Sequence, residues 1–232
     1  MDAYQTEEEQ VESIKKWWAD NSRSIIFGVG LGLVAIFAWQ SWKDWTHQQA
    51  IEASDMYQQL TQASKDQEYD AILLLATEIQ KSYADTPYAA LAGLQKAKVQ
   101  SEKGDRDGAI VTLEKVATEA ANSSVQHIAR IRALRLRIGA QQVQAVVDAI
   151  DSIINEQGAL NPGEFIGQYE ALRGDAYRLL GNIEKARHGY IAALRTATLD
   201  SRLLQMKLDD LGPPPANFAN DPESKKALEV AK

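Results

Sequence analysis

Four arginines, Arg130, Arg132, Arg135 and Arg137, fall within eight residues of a chain whose formal net charge is −7. The planar guanidinium fork can hold carboxylates or backbone carbonyls through several hydrogen bonds, so such a cluster could grip an acidic or extended segment. At helical spacing Arg130 and Arg137 share one face, and Arg132 and Arg135 lie on another. Two readings stay open: a solvated face whose long stems cover apolar neighbours, or a binding patch. Other reactive side chains are sparse. Asp148 with Asp151, and Asp209 with Asp210, are spaced as paired carboxylates, but surface helices carry such pairs routinely. His47, His127 and His188 are scattered and cysteine is absent, which excludes a disulfide framework and a thiolate metal site and disfavours zinc. Neither Gly-x-Ser-x-Gly, nor a P-loop, nor His-Glu-x-x-His, nor a dinucleotide fingerprint occurs. No catalytic residue, metal or cofactor is expected.

What must position the arginines is set by two very different stretches. Ser24 to Trp42 is nineteen residues without a charge, bounded by Arg23 and Lys43. A bilayer core takes about 20 apolar residues as helix. Trp17 and Trp18 precede the run and Trp39, Trp42 and Trp45 close it. Trp18 and Trp39 would stand ~32 Å apart on a straight helix, the spacing of two interfacial belts. The alternative of a buried helix in a soluble core fits this length and flanking poorly. The run is too long, and its lead too acidic (Asp2, Glu7, Glu8, Glu9, Glu12), for a cleaved signal peptide, so it is read as a permanent anchor in contact with lipid. Lys15, Lys16 and Arg23 before it against Lys43 after it place the N-terminus inside. Gly28 and Gly32 form a Gly-x-x-x-Gly pair that would let another transmembrane helix approach. In the lead, Val11, Ile14 and Trp18 share a helical face; residues 1–23 either lie on the membrane surface, extend the anchor helix, or form a solvated tail.

Residues 43–211 carry 3.6-residue periodicity throughout, as in Ile128, Ile131, Leu134 and Ile138, or Ile166, Tyr169, Leu172, Ala176 and Leu180. Thr86-Pro87 and Asn161-Pro162 read as helix starts, the second with Glu164 completing a capping box. The pattern also repeats. Gly174, Tyr177, Gly181, Ala186, Tyr190 and Ala193 resemble the tetratricopeptide repeat at six positions with that family's spacing. Gly174 and Ala186 leave room where two antiparallel helices cross, and Gly181 suits the turn. Weaker copies centre on Ala71, Ala109 and Ala145, at intervals of 38, 36 and 41 residues to Ala186. Only the copy with Gly104 keeps the turn glycine; Ala140-Gln141 replaces it in the next. The expected fold is all-α: a single transmembrane helix, then about four tetratricopeptide-like helical hairpins, then a capping helix over Leu199–Leu211. The expected domains are 1–23 cytoplasmic, 24–42 transmembrane, 43–211 repeats, and a Pro-rich, disordered tail over 212–232. After the anchor the chain carries 26 acids and 22 bases, so its charge gives no reason to seek nucleic acid. If the repeats stack as a solenoid, Lys98, Arg130, Arg137 and Arg178 would line one groove.

The opening from Glu9 through Asn21, the glycine-rich anchor and Ala38-Trp39-Gln40-Ser41-Trp42 resemble the YfgM-type ancillary subunits of the SecYEG translocon. The resemblance extends through the repeats to about Leu211; the proline-rich tail departs from it. It implies a single-pass type II protein of the bacterial inner membrane with a periplasmic repeat domain. Such a protein would associate with the SecYEG translocon and a PpiD-type periplasmic chaperone and help pass emerging polypeptides to chaperones. An assembly scaffold for another envelope machine, such as a cytochrome-maturation or pilus complex, is the second reading. A membrane-tethered enzyme is the third, disfavoured for want of a nucleophile-base or metal set.

Overall fold

The computed structural model describes residues 7–155 and 161–214. The expected disordered tail therefore lies, from residue 215 on, outside the described residues. All regular elements among the described residues are helices. The chain divides into two units, 1–52 and 53–232.

The first unit is most of one helix. Helix α1 runs unbroken over Glu7–Lys65, a stretch with no proline. From Glu7 on, the lead before the apolar run is thus an extension of the same helix. Along the apolar run Phe27 is 79% and Leu31 72% exposed, with no protein packed over them. So continuous an uncovered apolar surface marks a contact with something other than water, and its length suits a bilayer. The rings of Trp39 and Trp42 touch at 5.6 Å between centroids. The helix does not stop where the apolar run does, because Lys43–Lys65 contains nothing that breaks it.

The second unit begins with the last turns of α1. Helices α2 (Tyr69–Ser82), α3 (Pro87–Glu102), α4 (Arg106–Glu119), α5 (Ser123–Gly139), α6 (Val143–Asn155), α7 (Ile166–Leu179), α8 (Ile183–Arg195) and α9 (Ser201–Asp209) follow in order. Four short turns join α1 to α2, α3 to α4, α5 to α6 and α7 to α8. Each turn holds one residue in the left-handed region: Gln67 (φ 58°), Gly104 (84°), Gln141 (63°) and Gly181 (75°). Each is closed by the same six-to-one backbone hydrogen bond that ends helices at such a residue. The donors are Glu68, Asp105, Gln142 and Asn182, and the acceptors Ala63, Gln100, Arg137 and Tyr177, at 2.8–2.9 Å. The turn glycine that the sequence supplies only twice is thus replaced by glutamine in the other two copies, with the geometry kept.

Helix starts follow ordinary chemistry, with two departures from expectation. Asp105 and Asn182 accept from Gly108 N (2.9 Å) and Lys185 N (3.1 Å), satisfying first-turn donors. Thr86 precedes Pro87 as expected, but its hydroxyl donates back to Tyr83 O at 2.8 Å instead of capping α3. The Asn161-Pro162-Gly163-Glu164 box does not start α7. Gly163 takes φ 47°, which breaks the helical run, so the segment makes a 3-10 turn over Gly163–Phe165 and the α-helix begins at Ile166.

Small residues set the crossing of α7 and α8. A methyl group on Gly174 would stand 2.6 Å from the Tyr190 ring, and one on Gly189 2.8 Å from Gly174 N and 2.9 Å from Glu170 O. Ala186 and Tyr190 are fully buried in the adjoining cluster with Leu204 and Leu208 of α9. Helix α9 is also held by charge: Lys207 Nζ donates to both Asp175 oxygens at 2.6 and 2.7 Å, and Tyr190 Oη donates to the same carboxylate at 2.8 Å. Arg187 Nη2 donates to Gly212 O at 2.7 Å, fixing the chain where it leaves the cap.

Candidate partner-binding surface

Helix α5 is packed on two sides, which decides what its arginines can reach. One apolar row, Val125, Ala129, Ala133 and Leu136, joins a cluster with Ala97 of α3 and Leu113, Val116 and Ala117 of α4. A second row, Ile128, Ile131, Leu134 and Ile138, joins Val146 and Ile150 of α6 and Tyr169 and Leu172 of α7. Two narrow strips are left between these rows. Arg130 and Arg137 occupy one, and it is turned to α4. Arg130 Nη2 donates to Ala117 O at 3.1 Å, and Arg137 pairs with Glu114. Arg132 and Arg135 occupy the other, roughly 140–160° around the helix. Both are exposed, and neither makes a hydrogen bond or ion pair with another described residue.

The remaining two cations expected in the groove each have a weak partner. Lys98 on α3 is 60% exposed, 3.8 Å from Glu102 one turn on. Arg178 on α7 is 51% exposed, 3.8 Å from Asp210 just past α9. All four residues have intramolecular partners, two of them on α4. The expectation of solenoid stacking puts Arg130 and Arg137 in the groove and leaves Arg132 and Arg135 on another face. Spacing separates the two strips, but no signal in the sequence says which of them α4 covers.

Behind Arg130 lies a buried polar cluster. His127 Nδ1 and Tyr169 Oη are 2.9 Å apart, and the imidazole stacks on Phe165 with 5.0 Å between centroids. Burial, then the nearby Arg130 charge, holds the His127 imidazole below its usual range, although a hydrogen bond to the Asn161 backbone acts the other way. Burial pushes the Tyr169 hydroxyl up, against the influence of Arg130. Burial likewise raises Tyr190, helped by the Asp175 carboxylate it donates to. These groups therefore stay neutral at physiological pH and serve packing. Among the described residues no group of three or more His, Cys, Asp or Glu could hold a metal ion.

Two further surfaces are open. A cleft of about 470 Å³ lies between the α2–α3 and α4–α5 connections, walled by Pro87, Leu91, Val116, Ala121 and Val125 with Lys115 and Glu119 at its edge. In the first unit, nothing stands within 4 Å of where a side chain on Gly28, Gly30 or Gly32 would begin.

Comparison with known proteins agrees with this architecture. Residues 15–213 match the family described as tetratricopeptide repeat-like domain. The chain is 26% identical to an Escherichia coli K12 protein named ancillary SecYEG translocon subunit, over 91% of this chain and 99% of that one. It is 25% identical to a Haemophilus influenzae protein and 27% to an Aggregatibacter actinomycetemcomitans protein of the same name, each over 90% of this chain and 100% of the relative. No solved structure matches the chain.

Proposed function

Since the chain belongs to the tetratricopeptide repeat-like domain family, we propose that it is a membrane-anchored interaction scaffold ancillary to the SecYEG translocon. The observation that carries this is end-to-end similarity to proteins of that name, covering anchor and repeats together. A stretch of shared repeats alone would not choose among the many scaffolds that use such hairpins. The physical parts suit the role. Helix α1 offers an apolar length for the inner membrane, and stacked hairpins offer an extended surface without catalytic chemistry.

The finer parts of the proposal rest on sequence asymmetry and chemistry. The excess of Lys15, Lys16 and Arg23 over Lys43 favours a cytoplasmic N-terminus, residues 24–42 as the span and a periplasmic repeat domain over 43–211. There the domain would receive emerging polypeptides and pass them to a PpiD-type chaperone. The Gly28 and Gly32 face would meet a transmembrane helix of the machinery, since a side-chain-free strip allows close approach in lipid. Lys98 and Arg178, half or more exposed, would touch a partner directly. Arg130 and Arg137 would shape the groove by tying α5 to α4.

Photocrosslinkers placed at residue 29 or 33 of α1, and at 98 or 178 of the repeats, test the proposal in native membranes. Recovery of SecY, SecE or SecG from the α1 positions is the expected result. Recovery only of another envelope assembly would replace it with the assembly-scaffold reading. In spheroplasts, external protease should digest the repeats and spare an epitope before Lys15; protection of the repeats would reverse the orientation.

A further inference from the structure

We infer that Arg132 and Arg135 of α5, with Lys98 of α3, form a docking surface for an extended acidic polypeptide segment. The inference rests on the scaffold reading and names its partner chemistry. Its basis is the division of α5 into four sides. Two sides are apolar and buried in separate clusters. The third spends its guanidinium groups on α4, on Ala117 O and Glu114. Only the fourth presents free cations. In a domain with more acids than bases, two exposed arginines one turn apart without a carboxylate partner are a local excess of positive charge.

The repeat brings a third cation to the same register. Arg135 lies six residues before the left-handed Gln141, and Lys98 lies six residues before the left-handed Gly104. Lys98 and Arg135 therefore occupy matching positions on helices that share one core cluster through Ala97, Ala129 and Ala133. The same register on α7 is Asp175, which is held by Lys207 and Tyr190. The surface thus ends at α7, where the docked cap begins, and is confined to α3 and α5. Lys98 holds Glu102 only at 3.8 Å with both side chains well exposed, an ion pair of little worth that a partner carboxylate can displace.

A polypeptide fits this surface better than a membrane does. Arginine forks hold carboxylates, and phosphates equally, through paired hydrogen bonds and can also donate to single backbone carbonyls, so the layout of the cations decides between the two. A cation strip on one helix face, continued on its neighbour, tracks a chain crossing successive helices, as extended ligands of helical arrays do. Association through exposed charges should be fast and sensitive to salt.

The full-length protein in nanodiscs of zwitterionic lipid serves as the test material. The probe is a fluorescent twelve-residue peptide of alternating Glu and Ser, with a Lys/Ser peptide and phosphatidylglycerol vesicles as alternatives. The parent should bind the Glu peptide and not the Lys peptide, and physiological salt should weaken binding. Arg132→Ser with Arg135→Ser should weaken it about tenfold at low salt with unchanged helicity and melting, two exposed pairs each contributing modestly. Arg132→Glu with Arg135→Glu should abolish it and capture the Lys peptide instead. No binding by the parent, equal binding by the folded Ser variant, or binding only to the anionic vesicles would each overturn the inference. Crosslinking of the same variants to SecY through α1 is read separately, so loss of the docking surface and loss of the translocon reading cannot be confused.

Discussion

Gly189→Ala probes a backbone-to-backbone contact between α7 and α8. The added methyl would lie 2.8 Å from Gly174 N and 2.9 Å from both Gly174 Cα and Glu170 O. All three are backbone atoms of the facing helix, so no side chain can rotate away; α7 and α8 must separate. Overpacking of this kind costs about 1–3 kcal/mol. Alanine recovers about 1 kcal/mol of helix propensity over glycine. With only rigid neighbours the upper end of the cost applies, leaving a net loss of about 2 kcal/mol. For a domain of this size that lowers the melting temperature by about 4–8 °C. Gly139→Ala is the internal control: its methyl would meet only the flexible Arg106 guanidinium at 3.8 Å, so stability should stay the same or rise by up to about 1 kcal/mol. Melting of the full-length protein in detergent, followed by circular dichroism at 222 nm, reads both. A Gly189→Ala variant as stable as Gly139→Ala would refute the close crossing of α7 and α8.

Three further outcomes follow from named contacts. Gln141→Gly should stabilise by about 0.5–1 kcal/mol by relieving a left-handed non-glycine residue, whereas Gly181→Val should destabilise by about 1–2 kcal/mol; denaturant midpoints that move the other way would contradict the shared turn geometry. His127 is held below its usual pKa, so an acidified solution protonates the unfolded chain first; its contribution to stability is complete above about pH 6.5 and is lost as pH falls through the depressed value. Melting temperatures between pH 7.5 and 5.5 should drop more for the parent than for His127→Asn, and parallel slopes would exclude this site as the cause. A double-mutant cycle on Lys207→Met and Asp175→Asn should give a coupling of about 1 kcal/mol, since the pair is partly shielded and shared with Tyr190; zero coupling would show that this ion pair does not hold α9.

The helical class, the apolar span and the last hairpin were legible in the sequence because each depends on local periodicity. Nineteen uncharged residues between Arg23 and Lys43 need no tertiary context to be read as a span, nor does the Gly174 to Ala193 spacing need one to be read as two antiparallel helices. What the sequence left undecided turns on long-range packing. Gln67 and Gln141 look like ordinary helix residues, yet the chain reversal and its six-to-one hydrogen bonds force them into the conformation glycine takes elsewhere. Gly189 escaped notice because its importance lies in the backbone of a helix fifteen residues earlier, not in its own neighbours. The arginines show the same division most clearly. Spacing alone established that Arg130 with Arg137, and Arg132 with Arg135, form two faces. Which face is spent inside the protein was decided by the approach of α4, whose Ala117 carbonyl and Glu114 carboxylate claim the first pair and leave the second in solvent. A helical wheel ranks faces by apolarity, and these two strips are equally polar, so only the position of a neighbouring helix could tell them apart.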